Sequence, residues 1–472
     1  MNLTIPMPPY LPDQSAVSGG LNVCNNVYPK VDGYGPIAGF TGFSAALTGI
    51  FKGGASFIAK DATSTLLVGT TTNLLKFSGA TWTSLVGALT VTEQWRFAQF
   101  GDFAISVNGS ATRVVNLVTS VATTLAGAPV GKSIAIVGDY VVIGQNTNDL
   151  SGIFTSGTGD HTKWDVVTTD ATYQPMLEGG EVQGLAGGEY GVILQRRRIV
   201  RMSRTGDTNV PFAYDVVSNN IGCASKGSVA AYRNRVYFLS DAGFKCIVAG
   251  QEPIQDIGSE KVDRTFAAEV ARDDWERIHS AIDPQSKVVI WCVPGTPGKL
   301  WIYNWELDRW STATLSMDGV FSGFTSSTDL DSLNVTYPSI DAMTISLDDP
   351  RWQGGNPRLY AVQAGVVGTF FGTTLEAEFD FSFSELAKGR VSRIRAMRPV
   401  GDIVAGMSFA MDARARLGDA ENIRTVTDLR TSGIMPIRHS GRYVRPNLTV
   451  AAGTSWGYIS ALELEVEAGG ER

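Results

Sequence analysis

Four parts of the sequence combine residue types that could do chemistry, and the first resembles a phosphate-binding P-loop. The segment AGAPVGKS at 126–133 has Ala126 where the first glycine of that motif belongs. Pro129 removes a backbone N–H that a phosphate cradle uses. The residues after Ser133 predict a strand, so no helix N-terminus is expected to hold phosphate. We therefore expect no nucleotide at this segment.

The second part is a group of carboxylates, Asp273, Asp274 and Glu276. Paired carboxylates are what a glycosidase needs. These three lie near the end of a predicted helix, where Asp273 and Asp274 point in different directions because they are adjacent in sequence. We interpret them as the solvated end of that helix.

The third part has the spacing with which a calcium-binding loop begins, at Asp329, Asp331 and Asn334. Such a loop has glycine at its sixth position and glutamate at its twelfth. This chain has Asn334 and Ile340 at those positions. An aspartate-rich turn is the interpretation that fits.

The fourth part is the set of cysteines and histidines, which is small and scattered. Its members are Cys24, Cys223, Cys246, Cys292, His161, His279 and His439. No CxxC motif occurs, and three histidines supply few zinc ligands or general bases. We expect reduced cysteines in the core, which suits folding in a cytoplasm. We predict no metal, no cofactor and no catalytic residue, and hence no enzyme.

The charge balance argues against a protein that grips nucleic acid. The chain has 472 residues and a net charge of −7, whereas proteins that bind phosphates tightly are usually basic. Residues 376–472 contain 13 acidic and 13 basic side chains, so the acidic excess lies in 1–375. Charged residues make up only 18%, which together with abundant glycine favours short strands and tight turns over surface helices.

Neither a membrane span nor a signal peptide is expected. Residues 33–51 are uncharged, but they are rich in glycine and therefore poor helix material. The first 14 residues lack the basic and apolar regions of a secretory signal.

The stretch from 46 to 375 repeats short apolar runs separated by turns of Gly, Asn, Asp and Ser. Six units follow one another with a period of about 40–50 residues, which is typical of the four-stranded blades of a β-propeller. A further unit would use 320–325 and 358–362. The prediction is an all-β protein with a six- or seven-bladed propeller. A series of sandwiches fits less well, because no unit is long enough for a two-sheet core.

Two other features belong to this region. Three tryptophans near the ends of units are predicted to close outer strands, and they are Trp82, Trp164 and Trp310. One helix is predicted near 259–278, because Val262, Phe266 and Val270 recur on one face.

The two ends of the chain differ from the propeller region. Residues 1–45 contain six prolines within the first 36 positions, which predicts an extended docking arm without a core of its own. Residues 376–472 alternate strictly between apolar and polar, as in LELEVE at 462–467. That period predicts a small C-terminal β-sandwich-like domain.

Two sets of side chains are predicted to contact other chains. Tyr10, Tyr28 and Tyr34 give the arm an apolar surface for docking on a neighbouring subunit. The main basic cluster consists of Arg196, Arg197, Arg198 and Arg201, with Arg204 nearby. Alternation along a strand would divide this cluster between two faces. Both a contact with an acidic subunit or DNA phosphates and a solvated hairpin are open interpretations.

Several whole phrases of the chain resemble one family. They are NVYPKVDGYGPIAGF at 26–40, EQWRFAQFGD at 93–102, IGSEKVD at 257–263, SLDDPRWQGG at 346–355 and RHSGRYVR at 438–445. In this order they are similar to the β-propeller nozzle or tail-hub proteins of tailed bacteriophages, also called tail tubular or packaged-DNA stabilisation proteins. The resemblance extends from the arm to the C-terminus and brings no catalytic residue with it.

The resemblance implies a virion protein that is assembled in the host cytoplasm. It implies a homohexameric ring below portal and adaptor, in contact with tail fibre or tail-needle proteins, that continues the DNA channel, retains the genome and lets it pass during ejection. DNA would slide through the lumen without specific binding, and the acidic excess of the chain suits that role.

Two other functions are compatible with a propeller. One is a binding module that recognises a host-surface glycan or another tail protein, which exposed aromatics such as Trp352 or Tyr360 would favour. The other is a propeller hydrolase, which would need converging carboxylates in the central channel.

The acidic excess of 1–375 leads to a hypothesis about the lumen of the ring. If acidic side chains line it, reversing several of them to lysine adds phosphate contacts that hold DNA. We expect slower genome ejection from particles that carry such a variant, measured as DNA release over time. Unchanged ejection kinetics would refute an acidic lumen.

Overall fold

Short β-strands make up most of the chain in the computed structural model. The structure describes residues 2–207, 210–325, 339, 355–403, 405–420, 422–426 and 428–469. Strands alternate with tight turns throughout these ranges, as the low charge and abundant glycine predicted. The predicted calcium-loop positions and Trp352 lie outside the described residues. Among the helices described, none is long and apolar enough to cross a membrane.

The first 46 residues contain five strands. They are β1 (Asn2–Pro6), β2 (Leu21–Asn25), β3 (Val27–Lys30), β4 (Gly33–Pro36) and β5 (Ala38–Ala46).

Seven antiparallel groups of four strands follow within the described ranges, six as separate sheets and one as part of a larger sheet, and they are the blades of a β-propeller. Blades 1 to 4 consist of β6–β9 (Phe51–Ile58, Ser64–Thr70, Leu74–Ser78, Thr81–Val86), β10–β13 (Arg96–Phe100, Phe103–Val107, Arg113–Asn116, Ala122–Thr124), β14–β17 (Ser133–Val137, Tyr140–Gly144, Ile153–Thr155, Thr172–Gln174) and β18–β21 (Val182–Ala186, Gly191–Gln195, Ile199–Arg204, Phe212–Ser218). Blades 5 and 6 consist of β22–β25 (Ala230–Tyr232, Arg235–Ser240, Gly243–Val248, Gln251–Asp256) and β26–β29 (His279–Asp283, Val288–Val293, Gly295–Asn304, Arg309–Met317). Blade 7 consists of β30–β32 (Gly319–Phe324, Pro357–Gln363, Val366–Thr374) together with β5.

The predicted propeller is thus confirmed, with seven blades in the part of the chain that is described. The first strand of blade 7 packs against the first strand of blade 1, so the blades form a closed ring. The segments at 320–325 and 358–362 do form the additional unit, as β30 and β31. Trp82 lies on outer strand β9 and Trp310 on outer strand β29, whereas Trp164 lies in the connection between β16 and β17.

The N-terminal strand β5 completes blade 7. It pairs antiparallel with β32, placing Phe40 opposite Phe370 and Thr41 opposite Thr369. The strand that precedes blade 1 in sequence therefore forms the outer edge of the last blade. This pairing joins the two ends of the ring by backbone hydrogen bonds, so the propeller cannot open without breaking a sheet.

The C-terminal region and the arm together form two further sheets. The strands of this region are β33 (Ala377–Phe381), β34 (Ser392–Gly401), β35 (Met407–Arg414), β36 (Ile423–Val426), β37 (Met435–Gly441), β38 (Tyr443–Val450) and β39 (Ile459–Ala468). One sheet has the order β3-β4-β39-β34-β37, with β1 also paired to β39, and the other has the order β2-β33-β38-β35-β36. Strand β2 additionally pairs in parallel with β29 of blade 6, opposite Thr312. Blade 6 and one sheet of the sandwich are therefore a single nine-stranded sheet.

The arm therefore docks within its own chain, which corrects the prediction that its tyrosines dock on a neighbour. Tyr10 and Tyr34 are buried in the core that the arm shares with the sandwich. The Tyr34 hydroxyl accepts a hydrogen bond from the Tyr10 backbone N–H at 3.1 Å, and its ring packs 5.7 Å from that of Phe379. Tyr28 is half-buried against the core between blades 6 and 7. Pro6, Pro29 and Pro36 lie within strands of the arm, and its apolar side chains pack in the sandwich.

The predicted helix near 259–278 is shorter than expected. An α-helix, α1, spans Asp263–Glu269, and a 3-10 helix spans Arg272–Arg277. The backbone is extended at Ala271, which separates the two. The predicted apolar face is confirmed, since Val262, Phe266 and Val270 are all buried. Two further 3-10 turns lie at Leu177–Gly179 and Lys226–Ser228.

Helix α1 is capped by a residue of the distant arm. The Asp13 carboxylate accepts hydrogen bonds from the backbone N–H of Arg264 at 2.7 Å and of Thr265 at 2.8 Å, and from the Thr265 hydroxyl at 2.7 Å. These N–H groups have no partner inside a helix, so the carboxylate satisfies them and complements the helix dipole. Because Asp13 is buried, the cap also fixes the arm on blades 5 and 6.

Replacing Asp13 with alanine should therefore weaken the whole chain. An N-cap aspartate contributes about 1–2 kcal/mol, so we expect Asp13→Ala to lower the free energy of unfolding in urea by that amount. Asp32→Ala is the matched control, because Asp32 is an exposed arm aspartate that caps no helix. Equal stability of the two variants would show that the cap does not hold the arm.

Candidate functional site

One cavity lies where the first strands of several blades begin, at one end of the central channel. It has a volume of about 550 Å³. We call this region the channel mouth and define it by six side chains, namely Lys52, Arg96, Lys132, Lys226, Arg277 and His279. A second cavity of about 200 Å³ continues along the inner strands and shares Arg96 and His279 with the first. The inner strands of the ring thus place one basic residue after another around a single opening.

Glu93 is the carboxylate that holds two lysines of the channel mouth. Its Oε1 lies 2.8 Å from Lys132 Nζ, and its Oε2 lies 3.5 Å from Lys226 Nζ. Burial raises the pKa of Glu93, but the two lysines outweigh that effect and hold the pKa below its usual value. The connection before blade 2 is thereby linked to those before blades 3 and 5.

Arg96 and Lys52 are held by neutral acceptors instead of carboxylates. Arg96 donates from Nη2 to Gln94 Oε1 at 2.7 Å and to the backbone oxygen of Lys226 at 2.8 Å. Lys52 donates to the backbone oxygen of Thr92 at 3.0 Å. Burial lowers the pKa of Arg96 to about 10, so its guanidinium stays protonated near neutral pH. Two full positive charges therefore lie at the mouth without an acidic partner among the described residues.

His279 lies at the inner end of the cavity and is kept neutral. It is the first residue of β26, is 9% exposed, and packs its ring 5.2 Å from that of Phe51. Burial lowers its pKa to about 3, and the charges of Arg96, Lys52 and Arg277 act in the same direction. A histidine with this pKa is a weak general base near neutral pH. The local potential is positive, which disfavours a further cation and favours an anion.

The carboxylates at the mouth do not form a glycosidase pair. Glu93 is bound by two lysines, and Asp318 accepts a hydrogen bond from the Gly365 N–H at 2.7 Å. Glu276, from the predicted carboxylate group, is exposed at the rim. Within the described ranges no group of three or more His, Cys, Asp and Glu side chains could hold a metal ion. The arrangement can bind an anion by charge and hydrogen bonding.

The predicted arginine cluster does not line the cavity of the channel mouth and lies around the hairpin of β19 and β20. Its members are separated by contacts within the chain: Arg196 with Asp241 at 3.0 Å, Arg198 with Glu178 at 2.8 Å, Arg204 with Asp139 at 3.1 Å, and Arg201 over the Tyr190 ring at 4.8 Å. Arg197 is exposed. This favours the solvated hairpin over a concentrated basic patch.

The structure also shows where the remaining candidate motifs lie. The segment at 126–133 is a loop that leads into β14, so the predicted strand after it is confirmed, and its Lys132 belongs to the channel mouth. The four cysteines are buried and unpaired. A GxSxG sequence at 453–457, which the analysis of the sequence missed, lies between β38 and β39 and not at a strand-to-helix turn, so Ser455 has no nucleophile-elbow geometry.

The sequence analysis did not identify the channel mouth. The signal that could have revealed it is positional: Lys52, Arg96 and Lys132 all lie at or just before the first strand of successive blades. Aligning the units by their first strands would have placed these cations at one end of the channel. Lys226 and Arg277 come from irregular segments, and no periodicity points to them.

Comparison with known proteins yields only distant likeness. No protein-family model matches the chain, and no curated protein matches it. The extracellular domain of a one component system from B. thetaiotaomicron covers 84% of this chain at 11% identity and a TM-score of 0.41. The chain spans 47% of that structure's length. A chain of the Mitotic Checkpoint Complex covers 72% of this chain and 94% of its own length, at 10% identity and a TM-score of 0.42. Likeness at this level carries no argument about function.

The neutrality of His279 can be measured directly. Its pKa of about 3 lies below the ordinary value of 6.5, so its contribution to stability is complete above pH 6.5 and is lost as the pH falls towards 3. We expect its ring nitrogens to keep neutral-imidazole ¹⁵N shifts from pH 7.5 down to pH 4.5. The signal is assigned by its loss in His279→Gln. Protonation near pH 6 would contradict a cationic, desolvated mouth.

Proposed function

We propose that this chain is a structural subunit of a tailed-bacteriophage tail. In this role it forms part of the nozzle or hub ring below portal and adaptor, which extends the DNA channel, retains packaged DNA and lets it pass during ejection. The phrases at 26–40, 93–102 and 438–445 support the family resemblance. In this proposal the subunit has a structural role and catalyses no reaction.

The observation that carries the proposal is the continuous sheet between propeller and sandwich. Strand β2 lies between β29 and β33 and pairs with both. The Thr312 hydroxyl donates to the Cys24 backbone oxygen at 3.1 Å across this junction. The shared sheet and the strands of the arm therefore join the two domains by backbone hydrogen bonds. A ring that withstands the pressure of packaged DNA needs subunits with this property.

A second observation concerns exposed apolar side chains on blade 3 and its connection to blade 4. They are Leu150, Val166, Val167, Tyr173 and Leu177, of which Val167 is 86% and Leu177 is 77% exposed. Soluble monomers rarely expose several large apolar side chains so close together. We assign this surface, the blade-3 surface, to contact with a second copy of the chain in the ring.

The ring has partners and a cargo under this proposal. It is a homohexamer that binds the portal–adaptor complex on one side and tail fibre or needle proteins on the other, within the tail of the virion. DNA passes through the ring without specific binding, and the net charge of −7 per chain suits passage without retention. Assembly takes place in the host cytoplasm.

The decisive test is electron microscopy of the purified chain mixed with its portal–adaptor complex. We expect six copies in a ring on the narrow end of that complex. An absence of binding at micromolar concentration, with the chain folded and monomeric, would refute the role in the tail.

Matched variants test which surface mediates assembly. Val167→Asp introduces a charge on the blade-3 surface and should prevent ring formation, because the charge would be desolvated in the contact. Val31→Asp alters a similarly exposed valine in the arm and should leave the ring intact. If Val167→Asp forms rings of normal stability, the blade-3 surface does not mediate ring assembly.

Glycan binding was expected to use exposed aromatic side chains such as Tyr360, and the structure does not expose that residue. Tyr360 is buried, and its hydroxyl donates to the Phe324 backbone oxygen at 2.9 Å. It is therefore a core residue of blade 7 that cannot stack on a sugar from solvent.

A further inference from the structure

The channel mouth holds more positive than negative charge inside a concave site. Five cationic and three acidic side chains line the cavity of about 550 Å³. Lys132 and Lys226 share the single negative charge of Glu93, and Arg277 lies 3.0 Å from Asp274. Lys52 and Arg96 remain, and neither forms an ion pair with any described residue. A cavity of this size is in the range that binds small molecules and peptide segments.

Arg96 has N–H groups that are available to bind a ligand. Both of its hydrogen bonds use Nη2, so Nε and Nη1 have no acceptor in the described part of the chain. Those two nitrogens lie on different edges of the guanidinium, because Nη1 is on the same side as Cδ, so each can donate a separate hydrogen bond to an anion. Such a charge-assisted hydrogen bond would offset part of the cost of burying the guanidinium.

His279 is a second, independent indication of a missing partner. It is more than nine-tenths buried, lines both cavities and has no hydrogen-bond partner among the described residues. Buried polar groups are normally hydrogen-bonded. A neutral imidazole can donate one hydrogen bond without adding charge. It therefore provides a donor at the inner end of a cavity whose rim is cationic.

We propose that the channel mouth binds a carboxylate group presented by an acidic peptide segment of a partner protein. Arg96 and Lys52 supply the charge, and His279 supplies a neutral donor deeper in the cavity. The inference goes beyond the structural role proposed above and does not depend on ring assembly, because the site is built within one chain.

A carboxylate fits this site better than the phosphates of a nucleic acid. The mouth already holds one carboxylate, that of Glu93, between two lysines. Glu276 and Asp318 also line it and would repel a chain of phosphates. A peptide can place one carboxylate between the cations while its flexible side chains keep the remaining carboxylates away from the acidic rim.

Fluorescence anisotropy of a rhodamine-labelled tetraglutamate peptide tests the proposal on the full-length monomer. We expect saturable binding at low salt that weakens as salt is added. Lys52→Gln should weaken binding about ten-fold, since a hydrogen bond to a charged group contributes about that factor. Tetraglutamine and inorganic phosphate serve as competitors, and both should compete poorly.

Lys60→Gln is the matched control. Lys52 lies at the start of β6, whereas Lys60 lies two residues beyond its other end, outside the cavity lining, and is well exposed. This variant should bind as the unchanged chain does, and melting curves should show that both variants are folded. Three results would overturn the proposal: no binding of tetraglutamate, equal binding by Lys52→Gln, or tighter binding of phosphate. None of them bears on ring formation, so they leave the proposed structural role intact.

Discussion

The pairing of β5 with β32 is the interaction on which the rest of the structure depends. A propeller blade buries its faces against the next blade, so a row of blades is stable only when the last meets the first. Here the closing strand comes from a point in the sequence before blade 1. The pairing closes the ring and also determines the position in space at which the arm joins the propeller. Everything upstream of Ala38 is thereby held beside the sandwich, where β1 to β4 find edges to pair with.

Closure of the ring also determines the geometry of the channel mouth. Blades 6, 7 and 1 meet there, and Gly319 at the start of β30 allows this strand to pack closely against the rings of Phe51 and His279. A Cβ on Gly319 would lie 2.6 Å from the Phe51 ring and 3.0 Å from that of His279, so a side chain at this position would force these rings apart. The stacking that keeps His279 buried therefore depends on a glycine in blade 7 as well as on the ring being closed. The environment of His279 at the channel mouth therefore depends on the complete seven-bladed ring.

The sequence was sufficient for blades 1 to 6 because the four strands of each lie within one continuous stretch of chain. Alternating apolar runs such as those at 64–69 and 235–240 and turns such as Gly101–Asp102 lie within one unit, where period and turn chemistry act. The arm was misjudged because its partners are more than 300 residues away: Tyr34 packs on Phe379. The helix was overestimated because the backbone is extended at Ala271, which separates α1 from the 3-10 helix, and the N-terminus of α1 is held by Asp13 and not by a neighbouring residue. Composition and periodicity contain no information about such distant pairs.

The same reasoning explains why the channel mouth was not predicted. Its cations are spaced by 36 to 94 residues along the chain, and each looks like an ordinary surface lysine or arginine in its own unit. Only a closed ring brings them to one opening. There they produce a positive site in a chain whose net charge is −7. The acidic excess must then lie elsewhere on the subunit, so charge is segregated between the mouth of each propeller and the remaining surface. A subunit with this distribution can attract an acidic partner at the mouth while the rest of its surface repels DNA.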